Sequence, residues 1–159
     1  MSLPRVGSAA PLWALPDQSG QQHTLKAYRG QWVILYFYPK DDTPGCTREA
    51  CSFRDNFPAF KKVKAVVFGV SADSPKKHAK FAEKFQLPFT LLADEEKTVA
   101  MAYGVWAKKK FMGREYMGIL RTSFLINPEG KIAKVYENVK PDAHGEELLA
   151  DVKAFMRKK

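Results

Sequence analysis

Trp32-Val-Ile-Leu-Tyr-Phe-Tyr38, running directly into Pro39-Lys-Asp-Asp-Thr43-Pro-Gly-Cys46-Thr-Arg-Glu49-Ala-Cys51, is the stretch that decides the fold. Its first seven residues form the most apolar run in the chain, with no polar alternation, as a central strand covered on both faces requires. Pro39 ends that strand. Thr43-Pro44 then opens a helix: the residue before a proline is pushed to extended backbone angles, which an N-cap needs, and proline suits the first helical position. Cys46 takes the third helical position, where backbone N–H groups lack helical partners and face the positive end of the helix dipole. A thiolate gains from both, so Cys46 is a candidate nucleophile. Gly45 lets another group approach the backbone beside the sulfur.

Cys51 lies five positions further on. In an ideal helix, residues i and i+5 are about 140° apart and roughly 8.5 Å apart at Cα, whereas a disulfide needs about 4.4–6.8 Å. The two cysteines cannot bond while this helix is intact. Either Cys51 is a packed core residue, or the helix unwinds whenever the two pair; spacing leaves both open.

Outward from this segment the chain reads as alternating strands and helices. Residues 5–16 are extended and lead into the turn Asp17-Gln-Ser-Gly20. A short strand at 23–25 and a helical turn at 25–28 closed by Gly30 precede the apolar strand. The helix from Pro44 reaches about Asn56, and Pro58 starts a further turn. Residues 63–71 are a second apolar strand, and Ser74-Pro75 caps a helix to Phe85 whose apolar face is Ala79, Phe81, Ala82 and Phe85. Residues 89–93 read as a strand, 95–103 as a helix ended by Gly104, and 107–118 as a basic loop. Two strands, 121–126 and 131–136, pair across Asn127-Pro-Glu-Gly130, and a helix spans 143–156. This order predicts one α/β domain over residues 1–159, with a central mixed sheet flanked by helices.

At 159 residues with 45% apolar content, the chain is long enough for a proper core. Two cysteines are too few for a disulfide scaffold and indicate a reducing compartment, hence the cytoplasm. The start, Met1-Ser-Leu-Pro-Arg5, lacks the pattern of a signal peptide, and no run is long enough to span a bilayer. The net charge of +9 is spread over separate clusters such as Lys108–Lys110 and Arg157–Lys159. Without interleaved aromatics it argues against a nucleic-acid surface. It does leave room for a basic binding or holdase-like module as an alternative function. No metal site is expected, since His23, His78 and His144 are scattered. His78 reads as a solvent-face helix residue and His144 as the start of the last helix, neither a candidate for catalysis.

Pro39-x-x-x-Thr43-x-x-Cys46 resembles the active-site motif of the peroxiredoxins. Thr43-Pro-Gly-Cys46-Thr-x-Glu49-Ala-Cys51 resembles their Q-type branch, the bacterioferritin comigratory proteins. The similarity continues through Phe89-Thr-Leu-Leu-Ala-Asp94, Tyr103-Gly-Val-Trp106 and Arg121-Thr-Ser-Phe-Leu-Ile126. The resemblance implies a thioredoxin-like fold and a thiol-dependent peroxidase for hydrogen peroxide and organic hydroperoxides, serving antioxidant defence without a cofactor. Cys46 would be the peroxidatic cysteine, becoming a sulfenic acid. Thr43 would orient the peroxide, Pro39 would shield the site, and Arg121 would stabilise the thiolate and the developing charge. Glu49 would either hold Arg121 in a bidentate pair or be an ordinary first-turn carboxylate. Cys51 would be the resolving cysteine, forming an intramolecular disulfide that thioredoxin or a similar dithiol protein reduces. The resemblance also implies a monomer.

Overall fold

The computed structural model describes residues 3–158; Met1, Ser2 and Lys159, which figured in the reading of the termini, lie outside them. The strands are β1 (Ala14–Pro16), β2 (Gln22–Thr24), β3 (Trp32–Phe37), β4 (Ala65–Ser71), β5 (Thr90–Ala93), β6 (Trp106–Phe111), β7 (Arg114–Ile119), β8 (Thr122–Ile126) and β9 (Ile132–Tyr136). The α-helices are α1 (Pro44–Asp55), α2 (Phe57–Lys62), α3 (Pro75–Phe85), α4 (Thr98–Ala102) and α5 (His144–Arg157). Five strands form the central sheet in the order β5-β4-β3-β8-β9. The first three are parallel to one another, and β8 and β9 run antiparallel. This is the mixed sheet that the element order implied. No helix among the described residues is long and apolar enough to cross a membrane.

Strand β3 is buried at every position because it lies in the middle of this sheet with cover on both sides. Its pleat divides the core. Val33, Leu35 and Phe37 face one side, with Trp13, Phe68, Val99, Tyr103 and Phe124. Ile34, Tyr36 and Tyr38 face the other, with Cys46, Ala50, Phe53, Phe60, Phe81 and Leu148 from the helical layer. Tyr36 stacks on Phe53 with ring centroids 4.5 Å apart and planes inclined by 17°, which seats α1 on the sheet. Each aromatic contact of this kind adds about 0.5–1.5 kcal/mol beyond the area it buries.

Three expectations are corrected. Residues 107–118 are not a loop but a hairpin, in which Trp106 pairs with Ile119 and Phe111 with Arg114. Its turn, Met112-Gly113, has positive φ at both residues (50° and 80°), the two-residue turn whose twist matches that of the flanking strands. The run of lysines hid the strand, since their alternation of face does not alternate in polarity. Helix α4 starts at Thr98 rather than Glu95, because Asp94 turns back to accept from the backbone N–H groups of Val99 and Ala100. His78 is fully buried, not on the solvent face. Positions 78, 81, 82 and 85 form one helical stripe, so periodicity places His78 with Phe81 against the sheet.

Candidate active site

Helix α1 begins as the sequence predicts. Thr43 is extended (φ −100°, ψ 156°), Pro44 is the first helical residue, and the Thr47 N–H donates to the Thr43 carbonyl at 2.8 Å. One detail differs: the Thr43 side chain does not cap the helix but donates to the Lys40 carbonyl at 3.0 Å. The hydroxyl thereby tightens the turn between β3 and α1. Pro39 is half-buried at the end of the strand.

Cys46 is 1% exposed, packed on the helical side of the sheet. Arg121 reaches it from a distant part of the sequence. In the antiparallel pairing of β3 with β8, Phe37 lies opposite Thr122. Arg121, one residue earlier, therefore stands at the C-terminal end of β3, where α1 starts. Its Nη2 donates to Cys46 Sγ at 3.3 Å and its Nη1 to Glu49 Oε1 at 2.7 Å. The guanidinium fork is thus shared between a sulfur and a carboxylate. The bidentate pair with Glu49 is not formed, and Glu49 Oε2 has no partner. Glu49 is nonetheless fully buried, with its Oε1 paired to Arg121.

The electrostatics follow from burial. Desolvation pushes the Glu49 carboxyl up to about 7 in spite of the neighbouring Arg121 cation. Arg121 is itself partly desolvated, but Glu49 and Cys46 hold its proton more firmly than usual. The absence of a side chain at Gly45 also has a use. A Cβ there would lie 3.0 Å from Arg121 Nη2, so the group that approaches this backbone is the chain's own guanidinium.

Cys51, on the same helix, is half-buried, and both cysteines are free thiols with α1 unbroken. The segment just beyond it is clamped to the last helix. Gly145 packs so closely that a Cβ would fall 2.5 Å from the Ser52 carbonyl oxygen, and its N–H donates to Ser52 Oγ at 2.9 Å. His144 begins α5 as read, but it is buried, its Nε2 2.7 Å from Ser123 Oγ and its Nδ1 2.9 Å from Glu147. Desolvation lowers its proton affinity, partly offset by Glu147. Lys109, in the hairpin, lies within electrostatic reach of both Arg121 and Cys46, and burial lowers its proton affinity. The sequence marks Lys108–Lys110 only as a basic cluster, because the strand that carries Lys109 reads as a loop.

A cysteine sulfur with a cation fixed on it, at the start of a helix, can act as a nucleophile and stabilise negative charge as it moves to a leaving group. The chain is also similar to known proteins. The chain matches the AhpC/TSA family over residues 6–135. Peroxiredoxin Bcp of Bacillus subtilis is 48% identical over 153 residues, covering 96% of this chain and 98% of that protein. A crystal structure of Xylella fastidiosa PrxQ with a cysteine-to-serine substitution superposes with a TM-score of 0.92 at 34% identity, covering 98% of this chain and 99% of that one. The bacterioferritin comigratory protein of Xanthomonas campestris, studied for its alkyl peroxide reduction activity, gives a TM-score of 0.88 at 36% identity, covering 98% and 99% of the two chains.

Proposed function

The chain belongs to the AhpC/TSA family, and from that premise we propose that it reduces hydroperoxides through Cys46, with Cys51 as the resolving thiol. It is a peroxiredoxin, a thiol-dependent peroxidase acting on alkyl hydroperoxides. The single observation that carries the assignment of roles is the guanidinium of Arg121 held 3.3 Å from Cys46 Sγ and 2.7 Å from Glu49.

In the first step the Cys46 thiolate attacks the outer oxygen of the hydroperoxide and the O–O bond breaks. The alkoxide takes up a proton and leaves as an alcohol, and Cys46 becomes a sulfenic acid. Arg121 stabilises both the thiolate and the charge passing to the leaving oxygen. Thr43 and Pro39 shape the turn that receives the peroxide. In the second step the Cys51 sulfur attacks the sulfenic sulfur, water leaves, and a disulfide forms. The geometry of α1 forbids that bond while the helix is intact, so its first turns unwind. A dithiol protein of the thioredoxin type then restores both thiols. We expect a working monomer from the likeness to the Q-type branch, and two cysteines in the whole chain suit a reducing compartment such as the cytoplasm.

Peroxide consumption with a thioredoxin system tests the reading. Cys46→Ser should abolish it, and retained turnover would refute the role of Cys46. Cys51→Ser should accumulate a trappable sulfenic acid after one equivalent of peroxide and lose sustained turnover. If that variant cycles normally, another thiol resolves the intermediate.

A further inference from the structure

The turn that carries Pro39 and Thr43 is held by a buried network of residues that are not among the named positions of the active-site motif. Asp41 sits between those two residues. Its Oδ1 accepts from Tyr38 OH at 2.5 Å, and its Oδ2 lies 2.6 Å from His78 Nδ1 on α3. His78 Nε2 is 2.9 Å from the Leu92 carbonyl of β5. The backbone N–H of Asp41 donates at 2.8 Å to Asp73 Oδ2, which also accepts from Ser71 Oγ at 2.7 Å at the end of β4. Through its side chain, its backbone N–H and His78, Asp41 thus ties the turn to the C-terminal ends of β3, β4 and β5. His78 is fully buried and Asp41 is 9% exposed.

From this geometry we propose that Asp41 and His78 are positioning residues for the peroxidatic cysteine, a latch that fixes the turn from which Thr43 and Cys46 are presented. The proposal rests on the reading of Cys46 as the reacting thiol. The proton count supports a lock. A carbonyl can only accept, so His78 Nε2 carries a hydrogen, and a single proton is shared between Nδ1 and Asp41 Oδ2. Both imidazole nitrogens are engaged by protein oxygens, which leaves neither turned outward as a ligand. The turn also needs holding, since Asp42 next to the latch sits in the left-handed region at φ 57°. On the outside it is restrained by an exposed ion pair of Asp42 with Lys84, which contributes little.

The same count defines a rescue. In Asp41→Asn the amide N–H can donate to His78 Nδ1 while the amide oxygen accepts from Tyr38, so every bond of the latch survives without the carboxylate. In Asp41→Ala, His78 Nδ1 is left with only the Tyr38 hydroxyl at 3.4 Å, and the turn keeps only its backbone bond to Asp73. Misplacing a reacting group by about 1 Å can cost on the order of 10²-fold in rate.

The test measures, for the wild type, Asp41→Ala, Asp41→Asn and His78→Ala, the second-order rate of Cys46 oxidation by cumene hydroperoxide. The rate of alkylation by iodoacetamide, which needs no oriented peroxide, is measured alongside. The latch predicts a 10- to 100-fold loss of the peroxide rate in Asp41→Ala and His78→Ala, with alkylation changed by less than about threefold. Asp41→Asn should stay within about threefold of wild type in both. Hydrogen exchange over residues 40–47 should quicken in the two alanine variants only. Alanine variants that keep the wild-type peroxide rate overturn the proposal, as does an asparagine variant that loses tenfold. That second arm decides even if the alanine variants fail to fold. A wild-type protein inert to hydroperoxide would instead defeat the peroxidase reading, with the exchange data still ruling on the latch.

Discussion

Replacing Glu49 with glutamine isolates the electrostatic burden of the site. Glu49 is fully buried, only one of its oxygens is paired, and its carboxyl is held at about 7 rather than the usual 4.5. An acid whose pKa rises on folding contributes stability that is fully present below the unfolded value and lost as pH climbs through the folded one. A move from 4.5 to about 7 corresponds to about 3 kcal/mol. The wild type should therefore lose about 3 kcal/mol, relative to Glu49→Gln, between pH 4.5 and pH 8. The comparison matters more than either curve alone, because His144 and Asp94 also titrate abnormally and are common to both proteins. Urea unfolding of the two reduced proteins at five pH values across this range, read by tryptophan fluorescence, measures it. A stability difference that stays constant to within 1 kcal/mol across the range would refute the burial argument. It would mean that Arg121 fully compensates for the lost solvent.

Arg121→Met removes the cation from both partners and should slow peroxide reduction by about 10²- to 10³-fold, measured by stopped-flow oxidation of Cys46; a loss below fivefold would show that the sulfur does not depend on it. Gly145→Ala would place a methyl group 2.5 Å from the Ser52 carbonyl oxygen, against backbone that cannot rotate away. It should cost about 1–3 kcal/mol in thermal or urea unfolding. Met112 is 87% exposed and sits at φ 50° in the hairpin turn. Met112→Asn, which tolerates that conformation better and gives up no packing, should therefore gain about 0.5–1 kcal/mol in urea unfolding.

Legibility in the sequence varied with how local the cause of each feature was. Strand β3, the start of α1 and the turn Asn127–Gly130 are dictated by neighbouring residues, and each is found where the pattern puts it. The hairpin of β6 and β7 escaped because its lysines and exposed aromatics show no alternation of polarity, leaving only Met112-Gly113 as a signal. In the site, Cys46 could be singled out from helix position alone, whereas Arg121 needed the family motif. What brings Arg121 to the sulfur is the pairing of Thr122 with Phe37, and pairing partners far apart in sequence leave no local trace. His78 had a trace in the stripe it shares with Phe81 and Phe85, but a histidine among lysines reads as solvent-facing until its partner is known.

Helix α1 answers two opposed demands, and its packing divides them along its length. Its C-terminal part is fixed: Phe53 stacks on Tyr36, Ser52 meets Gly145 without room for a methyl group, and Asn56 donates back to the Ser52 carbonyl. Its N-terminal part has weaker ties. Pro44 and Arg48 are exposed, the Arg48–Asp142 ion pair stands in solvent, and among the described residues its buried polar tie is the fork of Arg121. That tie depends on the chemical state of the site. The Arg121 contact to sulfur is strongest with a thiolate and loses its ion pairing once Cys46 carries oxygen as a neutral sulfenic acid. What remains on the guanidinium is Glu49, a carboxylate that burial already disfavours. Oxidation therefore weakens the bond that keeps the first turns folded, while the clamp beyond Cys51 is untouched. On the proposed cycle, a segment rigid for attack on peroxide and loose for pairing with Cys51 can be both in turn, because the group that reacts is also the group that holds it.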